Sequence, residues 1–549
     1  MTLFGYDQGV FGTLGTAETI SFLTGYWMAD RGVLGGVIVT PDFLDTLKLN
    51  GPENTSLVGT VTALYDVGCF FGAVAAFSLG ERLGRKKSIL VGTTVMSIGA
   101  ILQIAAYSTG QMIAGRIIAG LGNGLNTATA PVWQAETSQA HWRGKLVVIE
   151  MILNIAGFSL SNWITYGFSY ASGPITWRFP LAFQFFFIII LFATVPWLPE
   201  SPRWLIAHGG IDEAEQIIAD LESTTIDDPW VITESKEIQW TVQFEREHGV
   251  SWWDLLRGRT GDAKTSTVRR LFLGGGTQAM QQLAGINVTS YYLPTVLIES
   301  VGLDEKLARL LAACNSVSYL LFSLIAIPNV ERWGRRKLMM YGAAGQCFCY
   351  LIITVLLRYN EKAGYSASKE VASASIAFFF LYYVFFGIGW QGVPWLYPTE
   401  INSLSMRTKG AALGTASNWA FNFMVVEITP IGIQSLQWKF YIIWTIFNAS
   451  FVPIVYLFYP ETADRKLEDI DRLFRENQSI LIFRDKDAIS SKRPAAYIEH
   501  EQREVRRNSS VVSANPEAVR RRLAKMNLAN EELDAEKGED GGYEHNEKI

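Results

Sequence analysis

Apolar residues come in runs of about 20, the length an α-helix needs to cross the hydrocarbon of a bilayer, and short polar segments separate the runs. The runs predict spans near 56–80, 88–108, 112–134, 145–170, 175–198, 270–298, 308–330, 338–358, 374–397, 409–430 and 437–459. An atypical first span upstream makes twelve. A short basic cassette occurs twice, ERLGRKK at 81–87 and ERWGRRK at 331–337, each between two apolar runs. Each holds a turn glycine (Gly84, Gly334) and several cations, which suits a tight loop at a membrane surface. The excess of Lys and Arg in cytoplasmic loops places that surface inside the cell. The matching order of acid, glycine and base argues against two unrelated clusters and for a tandem of similar halves.

The expected organisation is an N-terminal bundle over 1–199, a cytoplasmic loop with short helices over 200–269, a C-terminal bundle over 270–459, and a largely disordered cytoplasmic tail over 460–549. In the loop, DEAEQIIADLE has helical periodicity, with Ala214, Ile217, Ile218 and Leu221 on one side. The tail carries mixed charge blocks and little apolar sequence. The start is unusual: FGYDQGVFG at 4–12 is followed by a polar stretch with Glu18, Asp30 and Arg31. Either 2–28 is one slightly polar span, or 13–35 is an insertion, read as a translated intron with the true start upstream.

Composition changes little. Residues are 49% hydrophobic, yet the mean hydropathy is only +0.16, because the loop and tail are polar. The net charge of −5 says little, since the tail contributes many of the charges; no nucleic-acid partner is expected. The four cysteines, all in predicted spans, form no disulfide framework. No HExxH, phosphate loop or CxxC motif is present, so no enzyme, metal or cofactor is expected.

The candidate chemistry lies in the spans. Gln281, Gln282, Asn287, Asn315, Asn418 and Asn422, with Trp395, offer donors, acceptors and an aromatic face. Amides both donate and accept, which suits an uncharged polyhydroxylated ligand; buried amides also bridge helices, and for a single Asn the two readings stay open. Asp7 and Arg116 are ionisable residues within spans, which require a partner or a wet cavity. Protonation of Asp7 would release Arg116 and offers a proton-dependent switch. The other reading is a permanent structural ion pair. The glycines of GRIIAGLGNG (115–124) read as helix packing.

Together, GYDQG (5–9), the two cassettes, GRIIAGLGNG, PVWQAET (131–137), PESPRW (199–204), QQLAGIN with Tyr291 and Tyr292, PWLYPTEI (394–401) and PETADRKLED (460–469) resemble the sugar porter branch of the major facilitator superfamily, most like fungal hexose-type transporters. The resemblance implies two pseudo-symmetric six-helix bundles, an all-α membrane fold, and a central site reached alternately from either side. It implies sugar contacts at Gln281, Gln282, Asn287, Trp395, Asn418 and Asn315, and an outer gate at Tyr291 and Tyr292. It also implies a cytoplasmic charge network of Glu81, Arg82, Arg85, Glu136, Arg143, Glu331, Arg332, Arg335, Glu400 and Arg407. An acid at the place of Asp7 goes with proton symport. Where the family often has a span-five Gln, this chain has Phe158, with Asn154 and Asn162 nearby. The expected protein is a multi-pass plasma-membrane proton–monosaccharide symporter with both termini cytoplasmic. Its partners are a small-molecule sugar, a proton and the lipid bilayer. A facilitator, or a sugar receptor of the same fold, is the alternative.

Overall fold

The computed structural model describes residues 33–137, 143–248, 266–360, 368–403, 406–465, 467–476 and 479–493. The expectations for Asp7, for most of 13–35, for the tail beyond 493 and for the side chains of Arg143 and Arg407 lie outside the described residues. What is described is all-helical. The second to sixth spans are Thr55–Leu83, Arg85–Ile104, Thr109–Glu136, Arg143–Phe168, and the pair Ile175–Ala182 and Gln184–Thr194. The seventh is broken into Thr267–Leu283, Ile286–Ser290 and Leu293–Glu299, and the eighth into Glu305–Ser323 and Ala326–Trp333, bent by 45°. The ninth is Arg335–Asn360, the tenth Ser368–Gly389 plus Val393–Ile401, the eleventh Arg407–Leu436 and the twelfth Phe440–Phe458. Most predicted edges fall within a few residues of these ends.

Helix ends follow local chemistry. Ser108 and Asp304 accept backbone N–H bonds from Gln111 and Lys306 at the starts of the fourth and eighth spans. Both cassette glycines stand between two helices at φ near +85° and +81°, with extended ψ. That backbone region belongs almost solely to glycine.

Both halves use close glycine contacts and ring contacts, in different proportion. In the first, Gly68 and Gly72 of the second span lie so near the fourth that an added Cβ would sit 2.3 Å from Ile117 O and 2.1 Å from Leu121 O. Gly120 and Gly124 face back, with Tyr65 O and Cys69 O each 2.1 Å from such an atom. Here backbone meets backbone, the close approach that small residues permit in membranes. The second half fills its interior with rings: Tyr319 against Tyr383, Tyr350 against Tyr382, and Trp390 against Phe451, with centroids 4.8, 4.8 and 5.7 Å apart.

The halves meet along a seam between the second and eleventh spans. At the end away from the cassettes, Thr60 Oγ1 donates to Glu427 at 2.7 Å and Gln434 Nε2 to Pro52 O at 3.1 Å. On the same side Arg309 donates to Thr40 Oγ1 at 3.0 Å, and an added Cβ on Gly35 would meet Tyr291 O at 2.7 Å. The far end of the molecule is therefore closed.

Among the described residues, the loop forms three helices, Pro202–Ala207, Ile211–Leu221 and Pro229–His248. The expected stripe is present: Ala214, Ile217 and Ile218 are buried, packed with Leu205, Ile206 and Val231, while Leu221 is only half-buried. Part of the tail is folded: residues 461–465, 467–476 and 479–493 pack back on the second half. Helix Leu467–Glu476 buries Ile470, Leu473 and Phe474, which lie on one face at helical spacing. Arg270 pairs with Asp471 and lies over the Phe474 ring, and Glu461 N donates to Ala488 O at 2.9 Å.

Candidate functional site

The seventh span cannot stay helical through Ala284 and Gly285, where Gly285 adopts φ +89°. Breaking a membrane helix frees backbone carbonyls that no water can satisfy, and side chains take them up. Tyr382 Oη and Asn448 Nδ2 donate to Ala284 O, and Tyr350 Oη donates to Gly285 O, at 2.8–3.1 Å. The tenth span breaks at Trp390–Gly392. Gln281 Nε2 donates to Trp390 O at 2.7 Å and to Gln391 O at 3.2 Å. Gln278 Nε2 donates to Pro394 O at 2.8 Å.

The same break gathers the predicted amides. Five residues apart on an unbroken helix, Gln282 and Asn287 would face apart. The turn at Gly285 brings Asn287 Nδ2 to Gln282 Oε1. Asn418 Nδ2 donates to Gln281 Oε1 at 2.9 Å and to Gln278 Oε1 at 2.6 Å. Asn287 also donates to Asn422 Oδ1, and Asn422 Nδ2 donates to Asp66 Oδ1 of the second span at 3.0 Å. Gln278, Gln281, Gln282, Asn287, Asn418, Asn422 and Asp66 are all buried. The result is one polar chain about midway along the spans, reaching from one half into the other.

Other predicted residues stand apart. Asn315 is buried, and neither its amide nitrogen nor its oxygen has a hydrogen-bond partner among the described residues. Trp395 is half-buried at the start of the second segment of the tenth span. Tyr291 and Tyr292 are buried with ring centroids 6.3 Å apart, and Tyr292 Oη donates to Val426 O at 3.1 Å across the broken helix. Arg116 is fully buried, donates to Thr62 O at 2.8 Å, and lies 4.5 Å from the Tyr65 ring centroid. Its guanidinium thus has a backbone carbonyl and a π face within its own half.

Sequence reasoning missed Asp66, Gln278 and Gln391, whose Oε1 accepts from Tyr319 Oη. It noticed Asn422 without assigning it. Asp66 had a signal: an acid in the middle of a span is a functional candidate by default. The same is true of Glu150 in the fifth span, which is buried with no hydrogen bond to either carboxylate oxygen among the described residues.

Among the described residues, the cassettes organise two ionic clusters. In the first, Arg85 makes a two-pronged pair with Glu136 at 2.8 and 2.9 Å. Glu200 accepts from the backbone N–H of Arg85 at 2.9 Å, and Ser201 Oγ donates to Glu136 at 2.6 Å. In the second, Arg335 bridges Glu400 at 2.7 Å and Glu331 at 2.6 Å. Glu461 accepts from the backbone N–H of Arg335 at 2.8 Å, and Thr462 Oγ1 donates to Glu400 at 2.7 Å. Burial pushes the Glu461 carboxyl up, and backbone N–H groups of Ala463, Arg335 and Arg336 draw it back. Planar guanidinium and carboxylate make such paired contacts the strong ones. Arg82 and Arg332 are exposed, and among the described residues no ion pair joins them to either cluster; Glu81 contributes its backbone oxygen to Trp204 Nε1 at 2.9 Å. Glu200, Ser201, Glu461 and Thr462 were missed as members of these clusters, although their motifs were noted.

The carboxylates also explain the turn glycines. A Cβ on Gly334 would lie 2.3 Å from Glu461 Oε2, and one on Gly84 2.6 Å from Glu200 Oε2. Gly334→Ala is expected to destabilise the protein by roughly 1–3 kcal/mol through backbone strain alone, with displacement of Glu461 adding to it. Thermal unfolding of the purified protein checks this, and an unchanged midpoint would contradict the crowding.

Two helical halves, broken seventh and tenth spans that gather a buried polar chain, and an ionic cluster at each cassette are the architecture of a membrane transporter of the major facilitator superfamily. The chain belongs to the sugar (and other) transporter family, whose model matches residues 1–474. It is 57% identical over 512 residues to the MFS-type transporter oryC of Aspergillus oryzae, covering 93% of this chain and 90% of that one. It is 35% identical over 482 residues to the sugar transporter STL1 of Saccharomyces cerevisiae, covering 86% and 79%. It is 30% identical over 461 residues to the low-affinity glucose transporter HXT4 of the same yeast, covering 81% and 78%. Among solved structures, the proton:xylose symporter XylE bound to 6-bromo-6-deoxy-D-glucose superposes with a TM-score of 0.71 at 22% identity, covering 85% of this chain and 100% of that one. That likeness is one of fold.

Proposed function

We propose that this protein carries a monosaccharide, in company with a proton, across the plasma membrane by alternating access, with the cassettes and both termini in the cytoplasm. The observation that carries the reading is the buried amide chain. Six carboxamides converge where two spans break, a density of two-way hydrogen-bonding groups that matches a ring of hydroxyls. The sugar transporters among the relatives support the substrate class, while the relative at 57% identity is named without a substrate. Proton coupling draws on Asp7, on Arg116 buried within a span, and on the proton:xylose symporter that shares the fold. The closed far end and the paired cassette clusters fit one inward-facing stage of a rocking cycle.

The test is uptake of labelled glucose, fructose, galactose and xylose in transporter-null cells, with and without a protonophore. Uptake that collapses with the proton gradient supports symport, indifferent uptake indicates facilitation, and binding without flux indicates a receptor. Asp7→Asn is expected to abolish uphill accumulation while sparing counterflow exchange of the same sugar. Accumulation at the wild-type level would remove Asp7 from coupling.

A further inference from the structure

We propose that Asp66 is a positioning residue for Asn422 of the amide site, and that it makes the hold on that side chain depend on closure of the seam between the halves. This rests on the sugar-transport reading. An ionised carboxylate only accepts hydrogen bonds, and so does a backbone carbonyl. The amide chain has such a group at each end. At one end Gln281 gives Nε2 to Trp390 O and Gln391 O, and Gln278 gives Nε2 to Pro394 O. At the other, Asn422 gives Nδ2 to Asp66.

These anchors fix the direction of the amides between them. With Asn422 Nδ2 turned to Asp66, its oxygen is left to accept, and Asn287 supplies the donor. Asn287 also donates to Gln282, so Gln282 presents Nε2 toward Gln281. Gln281 Oε1 in turn accepts from Asn418. Reversing any one amide sets oxygen against oxygen or N–H against N–H at the next. The assignment therefore follows from the acceptor-only ends.

The two anchors differ in one respect. The carbonyls and amides belong to the seventh, tenth and eleventh spans, all in one half. Asp66 belongs to the second span, in the other half, and meets Asn422 on the seam that also holds Thr60 against Glu427. Opening the seam withdraws Asp66 from Asn422, while the carbonyl end still orients Gln281, Gln282 and Asn287. Asn422 would then be held at both ends of its amide with the far end closed and at one end with it open. A ligand would thus meet a different donor and acceptor pattern on each side of the membrane.

The experiment is uptake of labelled glucose and xylose by the full chain in transporter-null cells, with surface expression measured for each variant. Asp66→Asn gives Asn422 a partner that can donate or accept, and is expected to raise KM about tenfold, the weight of one hydrogen bond to a charged group, with a smaller change in Vmax. The double variant Asp66→Asn/Asn422→Asp moves the carboxylate across the seam. It again supplies an acceptor-only group to Asn287, and KM is expected to return to within about threefold of wild type. If Asp66→Asn does not reach the surface, Asn422→Ala, which cuts the same link without touching the acid, is expected to show the KM rise. An unchanged KM in the single variants, or no rescue by the exchange, overturns the inference while leaving sugar transport standing. Wild-type protein at the surface that takes up neither sugar overturns the sugar reading and this inference with it.

Discussion

Arg335→Ala is expected to be among the most damaging single substitutions in the described part of the chain. The side chain is 4% exposed and bridges Glu331 and Glu400, two carboxylates on different elements. Its removal leaves Glu400, itself 20% exposed, with Thr462 as a close donor at 2.7 Å among the described residues. Breaking a buried pair from one side costs roughly 3–5 kcal/mol, because the remaining charge is stranded. Arg85→Ala should cost a comparable amount: the carboxylate it abandons, Glu136, is 11% exposed and keeps Ser201 as a donor at 2.6 Å. Thermal unfolding of the two purified variants side by side checks both. An unchanged midpoint in either would mean that its pair adds little to stability. Transport should fall with Arg335 even where protein survives, since the cluster joins the eighth, ninth and tenth spans at the cassette end.

Gln281→Ala should have the largest effect at the proposed ligand site. One side chain accounts for two freed carbonyls, Trp390 O and Gln391 O, and for an acceptor to both Asn418 and Gln282. While Asn418 keeps Gln278, alanine leaves the two carbonyls and Gln282 Nε2 without this partner. Each costs about 1–3 kcal/mol before relaxation, and a net loss of roughly 3 kcal/mol corresponds to about a hundredfold in affinity. The readout is KM for glucose and xylose uptake beside surface expression. A variant that reaches the surface with an unaltered KM would show that the amides only fasten the broken helices together.

How far the sequence disclosed this arrangement depended on range. Span positions were legible because a run of about 20 apolar residues has one stable outcome in a bilayer. The cassettes were legible because their glycines and charges are adjacent. The carboxylates that cap them were not, because Glu200 and Glu461 lie more than a hundred residues from Arg85 and Arg335. The break at Gly285 was not foreseen, since a lone glycine in an apolar run is more often packing. Without that break the link between Gln282 and Asn287 could not be read. Asp66 was legible in principle, as an acid in a span, and was passed over. The docked tail was hidden by its low mean hydropathy, although Ile470, Leu473 and Phe474 keep helical spacing.

The unlike packing of the two halves has a consequence for how the protein can diversify. Where backbone touches backbone, at Gly68, Gly72, Gly120 and Gly124, any added carbon must separate two helices. No neighbouring side chain can shrink to compensate, so these positions are closed to gradual drift. An interior of rings is more forgiving, because a loss of volume at one ring can be met by a gain at its neighbour. The face between the second and fourth spans is thereby held to one shape, as is the contact of Gly389 with Leu338, and the ring-lined part of the second half, which carries the amide chain, is where new ligand preferences can arise without loss of the fold.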